Sequence, residues 1–253
     1  MLLPNIRQCI EICMYIQSRY YRCIIIPARL LSKPFFHSNS VYNTDICILH
    51  VTFALNSQVM QLNILCAHTL DAGFHGADVY HGGGPHSWAK STFFICRLAP
   101  KYDFVWLMED DVYIPSKASF IAMLRLSTNQ DLVVKSLTSH NDSLDWVHWE
   151  HAEYHYSFPE PWYKSLVCVM GMSNTMITKV DDYIQEFRNM GFVEYFFLSI
   201  AVHNNLTILN PSTLSTIECQ TDFSCENVNN SNMNWFHPVK DQVGFQRNCG
   251  FEH

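Results

Sequence analysis

Tyr102-Asp-Phe-Val-Trp-Leu-Met-Glu109-Asp110-Asp111-Val-Tyr-Ile-Pro115 is the stretch on which the reading of this chain turns. Residues 103–108 are apolar and aromatic enough to be a buried strand. The strand runs straight into three carboxylates, and Pro115 closes the turn. In an open α/β sheet the ligand crevice lies at the carboxyl ends of the strands, which is where these acids fall. Adjacent carboxylates repel one another unless a cation or hydrogen bonds compensate. Hard divalent ions such as Mg²⁺ or Mn²⁺ favour such oxygen ligands and bridge them to substrate phosphates. An acidic turn on the solvated surface is the plainer alternative.

Outward from this motif, strand-like and helix-like segments alternate from Asp45 onward. The pattern predicts strands over 46–53, 77–80, 103–108, 131–137, 165–172 and 206–209. It predicts helices over 57–70, 86–98, 175–190 and 193–204, and one from an N-cap at Ser116 through Leu126. Such alternation implies a single α/β domain over 45–253, with a mostly parallel central sheet flanked by helices. Residues 1–44 differ in composition and read as an N-terminal extension, partly helical over 5–21.

Composition narrows the function classes. Of 253 residues, 48% are hydrophobic and 15% charged, which excludes a disordered tail, a collagen or a coiled coil. The net charge of −7 repels polyphosphate backbones, so nucleic-acid binding is not expected as the main role. No window of about eighteen apolar residues exists to span a membrane. Arg7, Glu11, Arg19 and Arg22 interrupt the apolar N-terminus, which reads poorly as a secretory signal. The ten cysteines form no CxxC pair, although Cys219 and Cys225 are spaced to close a short disulfide ring. Sequons at Asn141, Asn205 and Asn229 suit a lumenal protein and also arise by chance.

Leu107-Met-Glu-Asp-Asp-Val112 resembles the DxD-type motif of GT-A-fold, nucleotide-sugar-dependent glycosyltransferases, in its Glu-Asp-Asp form. The resemblance implies a Rossmann-like GT-A architecture, with Asp111 as metal ligand and Glu109 and Asp110 beside the nucleotide. Asn234-Trp-Phe-His237-Pro-Val-Lys240 matches the late His that many of these enzymes supply as a further ligand. Lys240 would then lie near the donor diphosphate. Gly191-Phe-Val-Glu194 matches the place of the catalytic base in inverting members. Aromatic neighbours such as Tyr195 would raise the pKa of Glu194 towards a working base. Complementing the helix dipole is the competing role for that residue. Asp78 and Lys90 are further candidates for the nucleotide, on weaker grounds. The resemblance also implies Mn²⁺ or Mg²⁺, a UDP-sugar donor foremost, a glycan or protein acceptor, and a Golgi or secretory lumen.

Residues 139–164 hold seven aromatics and four histidines. Flat rings beside polar groups suit sugar faces, which makes Trp146 and Trp149 the acceptor-binding candidates; a lid packed on the core is the bland account. Two other functions compete. His148-Trp-Glu-His151-Ala-Glu-Tyr-His155 would place three imidazoles on one helix face, as in a zinc hydrolase. A transferase-like domain lacking part of its nucleotide pocket would bind glycans or partners without turnover.

Overall fold

Alternation along one strand organises the core. The computed structural model describes residues 23–28, 49–51, 92, 95–96, 103–109, 111–127, 129–150, 152, 159–188, 190–219, 223–229 and 233–239. Among them, β3 (Phe104–Glu109) is buried from Phe104 through Met108. Phe104, Trp106 and Met108 pack into one apolar cluster, while Val105 and Leu107 pack into another. Successive side chains of a strand point to opposite faces, so this strand feeds both layers and needs no polar face.

Around it, β1 (Cys23–Ala28) and β2 (Leu49–Val51) extend the sheet on one side. On the other stand β7 (Val169–Ser173), β4 (Leu132–Val133) and β8 (Ile208–Leu209). The order is β2-β1-β3-β7-β4-β8. The expected mostly parallel sheet is corrected here. β1 pairs antiparallel with β2 and β3, and β7 antiparallel with β3 and β4; among the described strands only β4 and β8 pair in parallel. The expectation failed for a definite reason. β2, β3, β4 and β8 share one direction, as strand–helix alternation implies, but β1 and β7 insert between them in the opposite sense. What remains is a mixed α/β sheet with helices. Cys23–Ala28, inside the stretch read as an extension, is hydrogen-bonded along the length of β3.

Gly171 of β7 faces Trp106 across the ladder. A Cβ there would lie 2.6 Å from the Phe104 ring, so only glycine lets β7 approach this closely. Asp131 then ties three strands together. Its carboxylate accepts from the Ser173 hydroxyl (2.8 Å) and from the Thr207 amide (2.9 Å) and hydroxyl (2.7 Å).

The helices follow their caps. The Ser116 hydroxyl accepts from the Ser119 amide at 3.0 Å, opening α1 (Lys117–Ser127) as the N-cap reading predicts. Ser173 caps α2 (Asn174–Phe187), accepting from the Met176 amide at 3.1 Å. Gly191, at φ +65°, makes the turn into α3 (Val193–His203), most of which is buried. A two-stranded ribbon, β5 (Thr138–Ser139) with β6 (Tyr163–Lys164), lies beside α3. The Ser199 hydroxyl on α3 accepts from the Tyr163 amide at 2.9 Å. A short helix, α4 (Cys225–Asn229), precedes the last described segment.

Thr92, Ile95 and Cys96 are helical within the predicted 86–98 segment. Residues 5–21, 57–70 and 77–80 lie outside the described residues. Among the described residues no helix is long and apolar enough to cross a membrane. The Cys219–Cys225 ring is also corrected: Cys219 is a free, exposed thiol, while Cys225 is disulfide-bonded. Six-residue spacing made that ring plausible without requiring it.

Candidate functional site

Three chain segments meet at the carboxyl end of β3. The acidic loop is zipped to the segment carrying His237. Tyr113 and Phe236 exchange amide–carbonyl bonds of 2.8 and 3.0 Å, and the Val239 amide donates to the Asp111 carbonyl at 2.8 Å. On its other side the segment pairs with Ile217, and the Glu218 amide donates to the His237 carbonyl at 3.0 Å. Buried rings hold this arrangement down. Trp235 packs against Trp106, and its Nε1–H donates to the Ser119 hydroxyl of α1 at 2.9 Å. The Thr216 hydroxyl closes on the Trp235 carbonyl.

His237 therefore arrives beside the acids although 128 residues separate it from Glu109. Its Nε2 lies 3.0 Å from Glu109 Oε2 and 3.1 Å from Asp111 Oδ1. Its Nδ1 lies 2.8 Å from the Glu218 carbonyl oxygen. A carbonyl only accepts, so Nδ1 carries a hydrogen and Nε2 is the nitrogen turned towards the carboxylates. Metal-binding histidines are held in this way, one ring N–H donated to a backbone carbonyl and the other nitrogen free to ligate. Asp111 and His237 are 8% and 6% exposed, so both charges are largely removed from water. Burial alone would discharge the imidazole. Hydrogen bonds to Asp111, Cys168 and Glu109 outweigh it and push His237 from its ordinary 6.5 up to about 12. The proton on His237 thus supplies the positive charge that the neighbouring acids require.

Cys168 completes the cluster. One step beyond the Met108–Val169 pair, the Glu109 amide donates to the Cys168 carbonyl at 2.8 Å, which sets the two residues side by side. Carboxylate oxygen, thiol sulfur and imidazole nitrogen of Glu109, Cys168 and His237 lie within 4.8 Å of one another. Burial pushes the Cys168 thiol up to about 11; His237 pulls it down, and the charges of Glu109 and Glu194 raise it further.

Glu194 stands in the first turn of α3. Its carbonyl accepts from the Ser165 amide at 2.9 Å, which places β6 against the start of the helix. Burial raises its carboxyl from the ordinary 4.5 to about 7, Lys164 lowers it, and the Glu109 charge raises it. A helix N-terminus would depress a carboxyl pKa. Burial is the largest cause of the upward shift, and the Glu109 charge adds to it.

The aromatic stretch divides in two. Trp149 is 5% exposed, packs on Trp146 and Trp162, and donates Nε1–H to the Ser143 carbonyl at 2.8 Å. It presents no face to a ligand, which removes it from the expected acceptor pair. Its spacing in a polar, aromatic stretch could not distinguish core from rim. Trp146 is half-buried, with the Lys164 ammonium 4.7 Å over its ring. His148 stacks on Phe192.

Of the residues singled out from sequence, Glu109, Asp111 and His237 come together, and the charge of Glu109 reaches Glu194. Asp78, Lys90, Asp110, His151, His155 and Lys240 lie outside the described residues. Cys168 was missed. A single cysteine in an apolar run carries no sequence signal, and only the β3–β7 register reveals it. No protein-family model, curated protein or solved structure matches the chain.

Proposed function

We propose that the protein is a metal-dependent glycosyltransferase that moves a sugar from a nucleotide-sugar donor to an acceptor hydroxyl. The observation that carries this reading is the meeting of His237 with Glu109 and Asp111 at a strand end. The donor set fits a divalent cation: two carboxylates and an imidazole whose Nδ1–H is held by the Glu218 carbonyl, so that Nε2 can exchange its proton for the ion. Asp111, Glu109 and His237 would hold the ion. When bound, it neutralises the donor diphosphate as a leaving group. The other steps fall to the chain itself. Glu194, with a pKa near 7, takes the proton of the acceptor hydroxyl as that oxygen attacks the anomeric carbon. Direct displacement inverts the configuration there. Trp146, half-buried, is the aromatic candidate for the acceptor, with Lys164, whose charge acts on Glu194, lying over its ring.

By this reading the donor is a UDP-sugar, the acceptor a glycan or protein, and the compartment the Golgi lumen. The test is a thermal-shift titration with Mn²⁺ alone and with UDP, GDP or CMP, on wild type and Asp111→Ala. A ligand that binds only the native state raises Tm by mass action, about 3 kcal/mol at a hundredfold excess over Kd. Stabilisation by one nucleotide, dependent on metal and on Asp111, is expected. No shift under any condition sinks the proposal.

A further inference from the structure

We infer that Cys168 is a direct ligand of this centre, and that the centre takes a thiophilic divalent ion of the zinc class rather than magnesium or manganese. The inference rests on the metal-dependent reading above and extends it to the kind of ion. The geometry begins with the sheet. Because β7 runs against β3, its amino end meets the carboxyl end of β3, and Cys168 falls beside Glu109. A parallel neighbour would have brought its own carboxyl end to this edge. His237 enters from a third segment, and its Nε2, the Cys168 sulfur and a Glu109 oxygen are mutually within 4.8 Å.

These three atoms are one oxygen, one sulfur and one nitrogen. Magnesium demands oxygen ligands in octahedral array and has little affinity for thiolate. Zinc takes Cys, His and carboxylate in four-coordinate geometry, and three protein ligands leave one position open for a substrate oxygen. Asp111 Oδ1, 3.1 Å from the same Nε2, would be a fourth donor, the substrate oxygen then entering as a fifth ligand, an expansion that zinc permits. On binding, the Cys168 S–H bond breaks, its proton leaves to solvent, and a sulfur lone pair takes the ion. His237 releases its Nε2 proton in the same exchange, so the cation replaces the charge that the imidazolium held. Cys168 is buried, which shields the thiolate–metal bond from bulk thiols.

The experiment uses the full chain with metal alone. One equivalent of Co²⁺ is added to wild type and to Cys168→Ser, and Zn²⁺ and Mn²⁺ affinities are measured for both. Wild type is expected to show a sulfur-to-cobalt charge-transfer band that the serine variant lacks. Zinc outranks manganese at most nitrogen and oxygen sites, so the ratio of their affinities, not their order, reports the thiolate. That ratio should fall about tenfold or more in Cys168→Ser. X-ray absorption on zinc-loaded wild type needs no variant and should find one sulfur at about 2.3 Å among nitrogen and oxygen ligands. Cobalt bound without the band, a band that survives Cys168→Ser, or a shell of nitrogen and oxygen only would each overturn the inference. Those results leave the transferase reading intact if a nucleotide still stabilises the manganese-loaded chain. A sulfur ligand with no nucleotide response would instead uphold the inference and remove the transferase.

Discussion

Replacing Glu194 with Gln tests the electrostatics of the site without any ligand. Glutamine copies the shape and neutrality of the protonated acid, so the variant reports what the ionised form costs. The folded protein holds the Glu194 proton up to about pH 7, whereas the unfolded chain releases it near 4.5. Below 4.5 both states are protonated and the residue costs nothing. As pH rises through 4.5 to 7 the unfolded state ionises first, and stability falls; above 7 the loss is complete. Each pH unit between the two values is about 1.4 kcal/mol, so the full loss approaches about 3 kcal/mol. Water retained at a half-buried carboxyl lowers this to about 2 kcal/mol. For a chain of this size that corresponds to roughly 4–8 °C in Tm.

The assay is calorimetric or fluorescence-monitored melting of both proteins from pH 4.5 to 8. Wild type and Glu194→Gln should nearly coincide at pH 4.5, and the variant should melt higher by pH 8. Other titrating groups cancel in the difference where they lie far from residue 194. Parallel curves across the whole range would refute the reasoning, because they would mean that Glu194 ionises as freely folded as unfolded. Under the proposed transferase role, a turnover assay should show a rate that rises with pH and levels above about 7.

Gly171→Ala places a methyl group 2.6 Å from the buried Phe104 ring, and should destabilise the fold by about 1–3 kcal/mol in urea denaturation. Ser173→Ala removes the cap of α2 and a bond to Asp131; equilibrium unfolding should record a loss of about 1–2 kcal/mol. Equal midpoints for wild type and either variant would contradict the packing described.

Much of the fold was legible before the structure. β3, α1, α2 and α3 follow from apolar runs and, at α1, from a cap: Phe104–Met108 cannot be left in water, and Ser116 satisfies an orphan amide. Strand direction was not legible. Helical linkers fix the sense of the strands they join, but β7 follows the β5–β6 ribbon. The described residues between β4 and β7 carry only short helical turns (His140–Asp142, and residues 149, 150 and 152), so nothing local orients it. At the site, Asp111 and His237 were reached through a family resemblance and are brought together by the zipped segments. Cys168 depended on register, which no single-residue signal encodes. Trp149 was misplaced because an aromatic ring suits a core and a sugar equally well until its neighbours are known.

The zipper between residues 111–113 and 236–239 also bears on the order in which the chain matures. During synthesis at about 5–20 residues per second, the acids leave the ribosome roughly ten seconds before His237 does. For that interval the strand end carries its negative charges without their partner. A nascent chain halted after β8 would hold every described strand of the sheet and still lack the site. Under the proposed metal-dependent role, competence to bind a cation is conferred only when the segment carrying His237 docks, and chains that lack it are electrically distinct from those that hold it.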